Sequence, residues 1–339
     1  MQVADGVFQF HVPMPTRADI PSGGLRHTLV YAVKIPDGWM VIDAGLNTDE
    51  GFNAFQGYLS EAGIAPQEVK LIVITHGHAD HAGLANRFKD LTGAKLAIHR
   101  LDASGDGHHH GHGNGQDRSA TERWLLRNGV PAAEMQEPPR TRATPESHAA
   151  GRHWRQDPLN VDVMLEGGEE LVPDTGLYSI WTPGHSPGHV CIHDSRRRLL
   201  FSGDHVLPEI TPHVSLYPGD EGNPLGRFLQ AHEDLKQLDV EMVHPAHQHS
   251  FPDLRKRVDE IFAHHRERMD EMLAQVQDGP KTSWQIASTI KWNVAPWAQL
   301  NGWTRRAALM ETMSHLQHMV IEGELAREET DSVALYARG

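Results

Sequence analysis

Short apolar runs dominate the first hundred residues. "TLVYAVKI" (Thr28 to Ile35) and "WMVIDAG" (Trp39 to Gly45) flank Pro36-Asp37-Gly38, a turn sequence of the kind that joins hairpin strands. "GFNAFQGYLSEAGI" reads as a helix, and "VKLIVIT" after Pro66 reads as the next strand. "LANRFKDLTG" and "AKLAIH" repeat the helix–strand step, so the pattern predicts a layered α/β fold. Residues 101–160 break that rhythm. "DASGDGHHHGHGNGQDRS" is rich in Gly and His without periodicity and reads as a mobile loop. The helix "ATERWLLRNG" and the Pro/Arg-rich "EPPRTRATPESH" follow it, so the segment reads as an insertion that could form a flap over a site. Strands resume with "LYSIWTPGHSPGHVCIHD", the turn "SRRR" and "LLFSGDHVL". Val190 and Ile192 alternate with Cys191 and His193, as in a half-buried strand that makes Cys191 a small core residue.

From Asp253 the period changes. Leu254, Val258, Ile261, His265, Met269 and Met272 recur at three- and four-residue steps, a long amphipathic helix that Gly279-Pro280 ends. "TSWQIASTI", with a hydroxyl N-cap, and "TRRAALMETMSHLQHMVIEG" add two more helices, and "ELAREETDSVALYAR" a short hairpin. The reading is therefore a large domain over residues 1–252, with its insertion at 101–160, and a mostly helical, winged-helix-like domain over 253–339. The Met positions of these helices suit a core, and a homodimer face is the alternative.

Composition narrows the function. The 339 residues carry a net charge of −14, which argues against a surface that tracks nucleic-acid phosphates. One cysteine allows no intramolecular disulfide and no Cys-based zinc site. The N-terminus lacks the basic-then-apolar pattern of a signal peptide, and no run approaches the roughly 18 apolar residues of a membrane span, so a soluble, cytoplasmic protein is expected. The 25 histidines make metal chemistry the first hypothesis to test.

"ITHGHADHAG" (74–83) crowds three histidines and an aspartate against an apolar strand. His76 and His78 alternate on a loop and can address one ion, while Asp80 and His81 can turn toward a second. Further ligand types sit in Gly- and Pro-shaped loops after β-rich stretches. These are His185 and His189 in "TPGHSPGH", Asp204 and His205 in "FSGDH", and His244, His247 and His249 in "VHPAHQH".

Together with "VIDAG", this ordered series resembles that of the metallo-β-lactamase superfamily over roughly residues 5 to 252. The resemblance implies an αββα sandwich with a dinuclear metal site at one edge of its two sheets. It gives His76, His78 and His185 to the first ion, Asp80, His81 and His247 to the second, and Asp204 to both. The expected cofactors are two divalent ions, Zn before Fe or Mn. Asp43 would support the metal loop, His189 would pack beside it, and Ala246 departs from the glycine the family favours before its last histidine. Two ions about 3.5–4 Å apart share a water, acidify it and deliver hydroxide, so hydrolysis is the implied reaction. Asp80 and His205 are the residues given a catalytic part, Asp80 by orienting the hydroxide and His205 by facing the substrate from beside Asp204.

A bridging aspartate resembles the glyoxalase II-like, lactonase and nuclease branches more than the β-lactamases proper. The C-terminal helices resemble an appendage found on acyl-thioester hydrolases and on a group of endoribonucleases. The acidic chain favours a small thioester, ester or lactone over RNA. Arg140, Arg142, Arg152 and Arg155 are candidates for the phosphates of a coenzyme A thioester, and His213 and Tyr217, within Ile210 to Phe228, for other substrate contacts. The alternatives are an endoribonuclease or other phosphodiesterase, an amide hydrolase of β-lactamase type, an iron persulfide dioxygenase using His76, His185 and Asp204, and a non-catalytic binding module.

Overall fold

The computed structural model describes residues 1–14, 25–103, 118–135, 158–220, 222–330 and 332–339. They divide into two compact units: 1–107, 143–212 and 231–257 make the first, and 108–142, 213–230 and 258–339 the second. Besides residues from Val258 on, the second unit thus takes in stretches that precede the 252/253 boundary expected from the sequence.

The first unit is built on two sheets. Strands β1 (Gln2–Ala4), β2 (Val7–Pro13), β3 (His27–Ile35), β4 (Gly38–Ile42), β5 (Val69–Ile74), β6 (Lys95–His99) and β7 (Val163–Leu165) lie side by side in chain order. The pairs from β1 to β4 are antiparallel and those from β4 to β7 parallel. The first two parallel steps are crossed by helices α1 (Asp49–Glu61), α2 (Ala79–Ala82) and α3 (Ala85–Thr92). Thr48 caps α1 by accepting a hydrogen bond from the Gly51 amide at 2.9 Å. The second sheet has β8 (Glu170–Val172), β9 (Leu177–Trp181), β10 (Val190–Asp194), β11 (Leu199–Gly203) and β12 (Met242–Pro245), with only β11 and β12 parallel. Strands β7 and β8 are too short for a periodic signal, and the sequence pattern does not single them out.

The apolar runs resolve into two cores. In β3, Leu29, Tyr31 and Val33 point into a core shared with Val190, Ile192 and Phe201 of the second sheet, while Val30 and Ala32 point the other way. Those outward residues meet Phe55 and Leu59 of α1 and Phe88 of α3. A strand covered on both faces has no polar face to show, which is why "TLVYAV" is a continuous apolar run. Each fully buried Leu, Val, Ile or Phe side chain contributes about 1.5–3 kcal/mol by leaving water. On the second sheet, Cys191, Leu200 and Ser202 face away from the shared core and are buried too. That sheet is therefore covered on both faces as well.

In the second unit, α5 (Arg118–Arg127), α7 (Leu254–Gln275, from Val258 on), α8 (Ser283–Thr289) and α9 (Gly302–Ile321) accompany the antiparallel hairpin β13 (Leu325–Glu329) and β14 (Ala334–Arg338). Helices α4 (Arg100–Ala103) and α6 (Pro224–Leu235) complete the described α-helices. Thr282 and Gln285 form a reciprocal cap on α8. Met272, Ile286, Leu316 and Tyr336 share one core, and Leu125, Ala287 and Leu309 another. No described helix is long and apolar enough to cross a membrane.

Candidate metal centre

Every loop that carries a candidate ligand leaves the C-terminal end of a strand in the first unit. Asp43 follows β4, His76 to His81 follow β5, His185 follows β9, Asp204 follows β11 and His247 follows β12. Backbone bonds between the loops hold these ends together. Val190 N donates to Thr75 O at 2.8 Å, Ala246 N to Gly203 O at 3.0 Å and Leu29 N to Ala246 O at 2.7 Å. The Tyr31 hydroxyl adds a bond of 2.7 Å to Pro245 O across the two sheets.

The seven candidates meet there in three overlapping groups. They are His76, His78 and His185; His76, His81 and Asp204; and Asp80, His81 and His247, with the ligand atoms of each group within 4.8 Å of one another. His78 Nδ1 lies 2.9 Å from His76 Nε2 and 3.1 Å from His185 Nε2. Asp204 touches both sides, with Oδ2 at 3.4 Å from His81 Nε2 and 3.6 Å from His185 Nε2, and Oδ1 at 3.4 Å from His247 Nε2. Asp80 Oδ2 is 3.4 Å from His247 Nε2. His78, Asp80 and His185 are partly exposed, whereas His76, His81 and His247 are buried, which leaves the former three as the open side.

The far nitrogens of His76, His81 and His247 are already engaged. His81 Nδ1 donates to Asp43 Oδ2 at 2.9 Å, and His247 Nδ1 donates to His27 O at 3.0 Å. The Thr75 hydroxyl and amide both donate to Asp43, so the hydroxyl oxygen is left to accept from His76 Nδ1 at 3.1 Å. Asp43 therefore orients His81 directly and His76 through Thr75, and turns the Nε2 lone pair of each ring inward. Asp43 itself sits at φ +63°, a left-handed conformation rarely held by a residue with a side chain.

Three buried atoms on the inner side, His81 Nε2, His247 Nε2 and Asp204 Oδ1, have no hydrogen-bond partner. Buried polar atoms are almost always paired, and converging imidazole and carboxylate donors fit a divalent ion of the Zn, Fe or Mn kind. Electrostatics agree with that fit. Burial, with His81 and His78 adding to it, presses His76 well below its ordinary pKa, so its ring is neutral. Burial opposes charge on Asp80 and Asp204, but His81 and His247 outweigh it and hold both carboxyls below the usual range. Against the same burial, Asp204 and Asp80 hold His81 well above its ordinary value and raise His247. An ion at these atoms would take the place of the protons.

The remaining candidates fall outside the three groups. His189 donates from Nδ1 to Thr182 Oγ1 at 2.8 Å and accepts from Asp204 N at 3.1 Å, which fixes the start of the Asp204 turn. Gly203 fits that turn because a Cβ there would come within 2.6 Å of His189 Nε2. His205 corrects the expectation of a substrate-facing catalytic residue. It is fully buried and stacked on His232 at 4.1 Å, a packing position. His244 packs between Tyr31 and Phe201 and bonds Ser250, and His249 is exposed. His213 and Tyr217 belong to the second unit, where His213 bridges Glu311 and Ser215. The expected substrate loop ends in helix, since α6 begins at Pro224. Arg140, Arg142, Arg152 and Arg155 lie outside the described residues, as does the Gly/His tract from 104 to 117.

Two supporting residues escape a reading of the sequence. Thr75 lies inside the quoted motif, but nothing in the spacing gives it a part. Asp102, in α4, is buried and bonds both the His76–His78 loop and the His185 loop. Its only signal is an acidic residue just past the end of a strand.

Comparison with known proteins completes the site. The model of the metallo-beta-lactamase superfamily matches residues 23–247. A probable metallo-hydrolase of Bacillus subtilis is 24% identical over 266 residues, 77% of this chain and 80% of that protein. Acyl-coenzyme A thioesterases of Gallus gallus and Homo sapiens are 32% and 28% identical over 174 and 187 residues. These matches cover 49% and 52% of this chain, and only 53% and 57% of the thioesterases' own length. Among solved structures, a metallo-beta-lactamase family protein of Thermus thermophilus matches over 99% of both chains, with a TM-score of 0.76 and 29% identity. A beta-lactamase domain protein of Burkholderia ambifaria, at 24% identity and a TM-score of 0.74, shares the fold.

Proposed function

The chain belongs to the metallo-beta-lactamase superfamily, and from that premise we propose that it is a two-metal hydrolase of thioesters, with esters and lactones as the next substrates in order. The observation that carries the reading is the position of Asp204, whose carboxylate reaches His185 of one group and both His81 and His247 of the other. In this reading His76, His78 and His185 would hold one ion and Asp80, His81 and His247 the other, with Asp204 placed between the two groups. Divalent ions in such a site supply Lewis acidity and a water that ionises near neutral pH.

The chain's own groups do the rest. Asp43, Thr75 and the His27 carbonyl fix ring orientation, so the donors need little reorganisation when the ions bind. Asp80, on the open side, orients the attacking water by accepting its hydrogen bond. Hydroxide adds to the carbonyl carbon, the C–S bond breaks, and the proton released from water ends on the departing thiolate. The preference for thioesters is supported by the two acyl-coenzyme A thioesterases and by the net charge of −14, which disfavours RNA. Zinc is the ion of first choice for a His/Asp donor set, and the helices and hairpin of the second unit are read as a winged-helix-like module. The cytoplasm as compartment and a homodimer as assembly belong to the same reading.

The test is thiol release from a panel of hydroxyacyl-glutathione and several acyl-coenzyme A compounds, with zinc-loaded and chelator-stripped protein side by side. Release that depends on metal is the expected result. No release from any member of the panel would overturn the thioester assignment and move the substrate to esters and lactones.

A further inference from the structure

Asp102 stands 25 residues from Gly77, 84 from Ser186 and 86 from Gly188, yet it bonds all three. Its Oδ2 accepts from the Gly77 amide at 2.9 Å and from the Ser186 hydroxyl at 2.6 Å, and its Oδ1 accepts from the Gly188 amide at 2.7 Å. Gly77 lies between His76 and His78, and Ser186 directly follows His185. One buried carboxylate thus spans the two loops that bring these three imidazoles together. The fit is close, because a Cβ on Gly188 would stand 2.7 Å from Asp102 Oδ1 and one on Gly77 3.1 Å from Asp102 O.

The other candidate group is held by different means. His81 rests on Asp43, His247 on the His27 carbonyl, and the Asp80 backbone carbonyl accepts from the Thr28 hydroxyl at 2.7 Å. None of these contacts involves Asp102. The two halves of the site therefore have separate supports, apart from the link that Asp43 makes to His76 through Thr75.

We infer that Asp102 is a positioning residue that sets the spacing between the His76–His78 loop and the His185 loop, and so tunes the affinity of one ion site and not of the other. The inference rests on the two-metal reading above. Three donors on one carboxylate are geometrically directional, and breaking them frees the His185 loop to drift relative to β5. Loss of such outer partners typically weakens metal binding roughly 10- to 100-fold.

The experiment titrates full-length protein with Zn²⁺ against a chromophoric chelator, for the unsubstituted chain, Asp102→Ala and Asp102→Asn. His185→Ala and His247→Ala identify which binding step belongs to which site. In Asp102→Ala the step that His185→Ala removes should weaken roughly 10- to 100-fold, while the step that His247→Ala removes stays within about threefold. Asp102→Asn keeps one oxygen acceptor but turns an NH₂ toward the remaining donors, so its loss should be intermediate. If Asp102→Ala fails to fold, Asp102→Asn decides on the same terms. Equal weakening of both steps, or none, would overturn the positioning role. An unsubstituted protein that binds no Zn²⁺ would remove the metal reading, and this inference with it.

Discussion

Each unit buries a cluster of histidines, and the two clusters end differently. In the second unit, His315 Nδ1 donates to Glu311 O at 2.8 Å and its Nε2 lies 2.9 Å from His265 Nδ1. His213 Nδ1 meets the Glu311 carboxylate at 2.8 Å, and its Nε2 meets the Ser215 hydroxyl. Both ring nitrogens of His315 and of His213 thus find partners among the neighbouring side chains and the backbone. In the first unit the outer nitrogens of His81 and His247 are satisfied in this way, but their Nε2 atoms converge on carboxylates without a hydrogen bond. Burial of histidine is common to both clusters and marks neither as a site. The mark is convergence of lone pairs that the fold has aimed and left unpaired.

The sharpest way to break this contrast is to remove its centre. Asp204→Ala should leave a folded protein, lower its bound zinc, and cut metal-dependent turnover by roughly a thousandfold or more, on the scale of deleting a preorganised catalytic charge. Full activity with normal metal content would sink the dinuclear mechanism. Asp43→Asn keeps the shape but replaces one anionic acceptor by an NH₂ group, so zinc affinity should fall roughly 10- to 100-fold, read by the same chelator competition. The matching change in the second cluster, Glu311→Gln, removes the charge facing His213. It should cost about 1–3 kcal/mol of stability in a denaturant titration and leave zinc stoichiometry untouched.

The smallest effect is a slope. Burial lowers the His315 pKa from 6.5 to about 4, with the Glu311 carboxylate opposing the shift. A group depressed on folding gives its full contribution above its unfolded value, and loses it as the pH falls through the folded value. The His315 contribution is therefore complete above pH 6.5 and declines between 6.5 and about 4, as the unfolded chain takes up a proton that the folded one refuses. Glu311 is held near 2, because burial opposing its charge is outweighed by His213, so its own contribution is lost only at lower pH, as the pH falls toward that value. Melting curves from pH 8 to 4 should therefore fall less steeply for His315→Gln than for the unsubstituted chain. Parallel curves would remove His315 as the cause.

How much of this could be read beforehand depended on distance along the chain. The ligand loops were legible because each is a short motif at the end of a strand, and local spacing suffices to see it. The α/β class was legible for the same reason, since runs such as "VKLIVI" announce strands whatever they pair with. Asp102 was not legible, because its meaning lies in partners as many as 86 residues away. His205 misled because adjacency to Asp204 in sequence says nothing about the direction of a side chain after a turn. The make-up of the second unit was hidden likewise. Arg305 pairs with Glu134 and the Ser283 hydroxyl bonds Asn128 O, links that no period reveals.

The buried Cys191 has a practical consequence for the assay that tests all this. Its thiol lies 3.5 Å from both Thr182 Oγ1 and Ser202 O, and burial pushes its pKa up to about 12. At neutral pH it is neither ionised nor accessible, so a colorimetric thiol reagent will not see it while the sandwich is intact. The background in a thiol-release experiment is thereby set by the substrate alone. One equivalent of protein sulfhydryl appears only when the first unit opens, which makes the same reagent a built-in reporter of whether a variant is still folded.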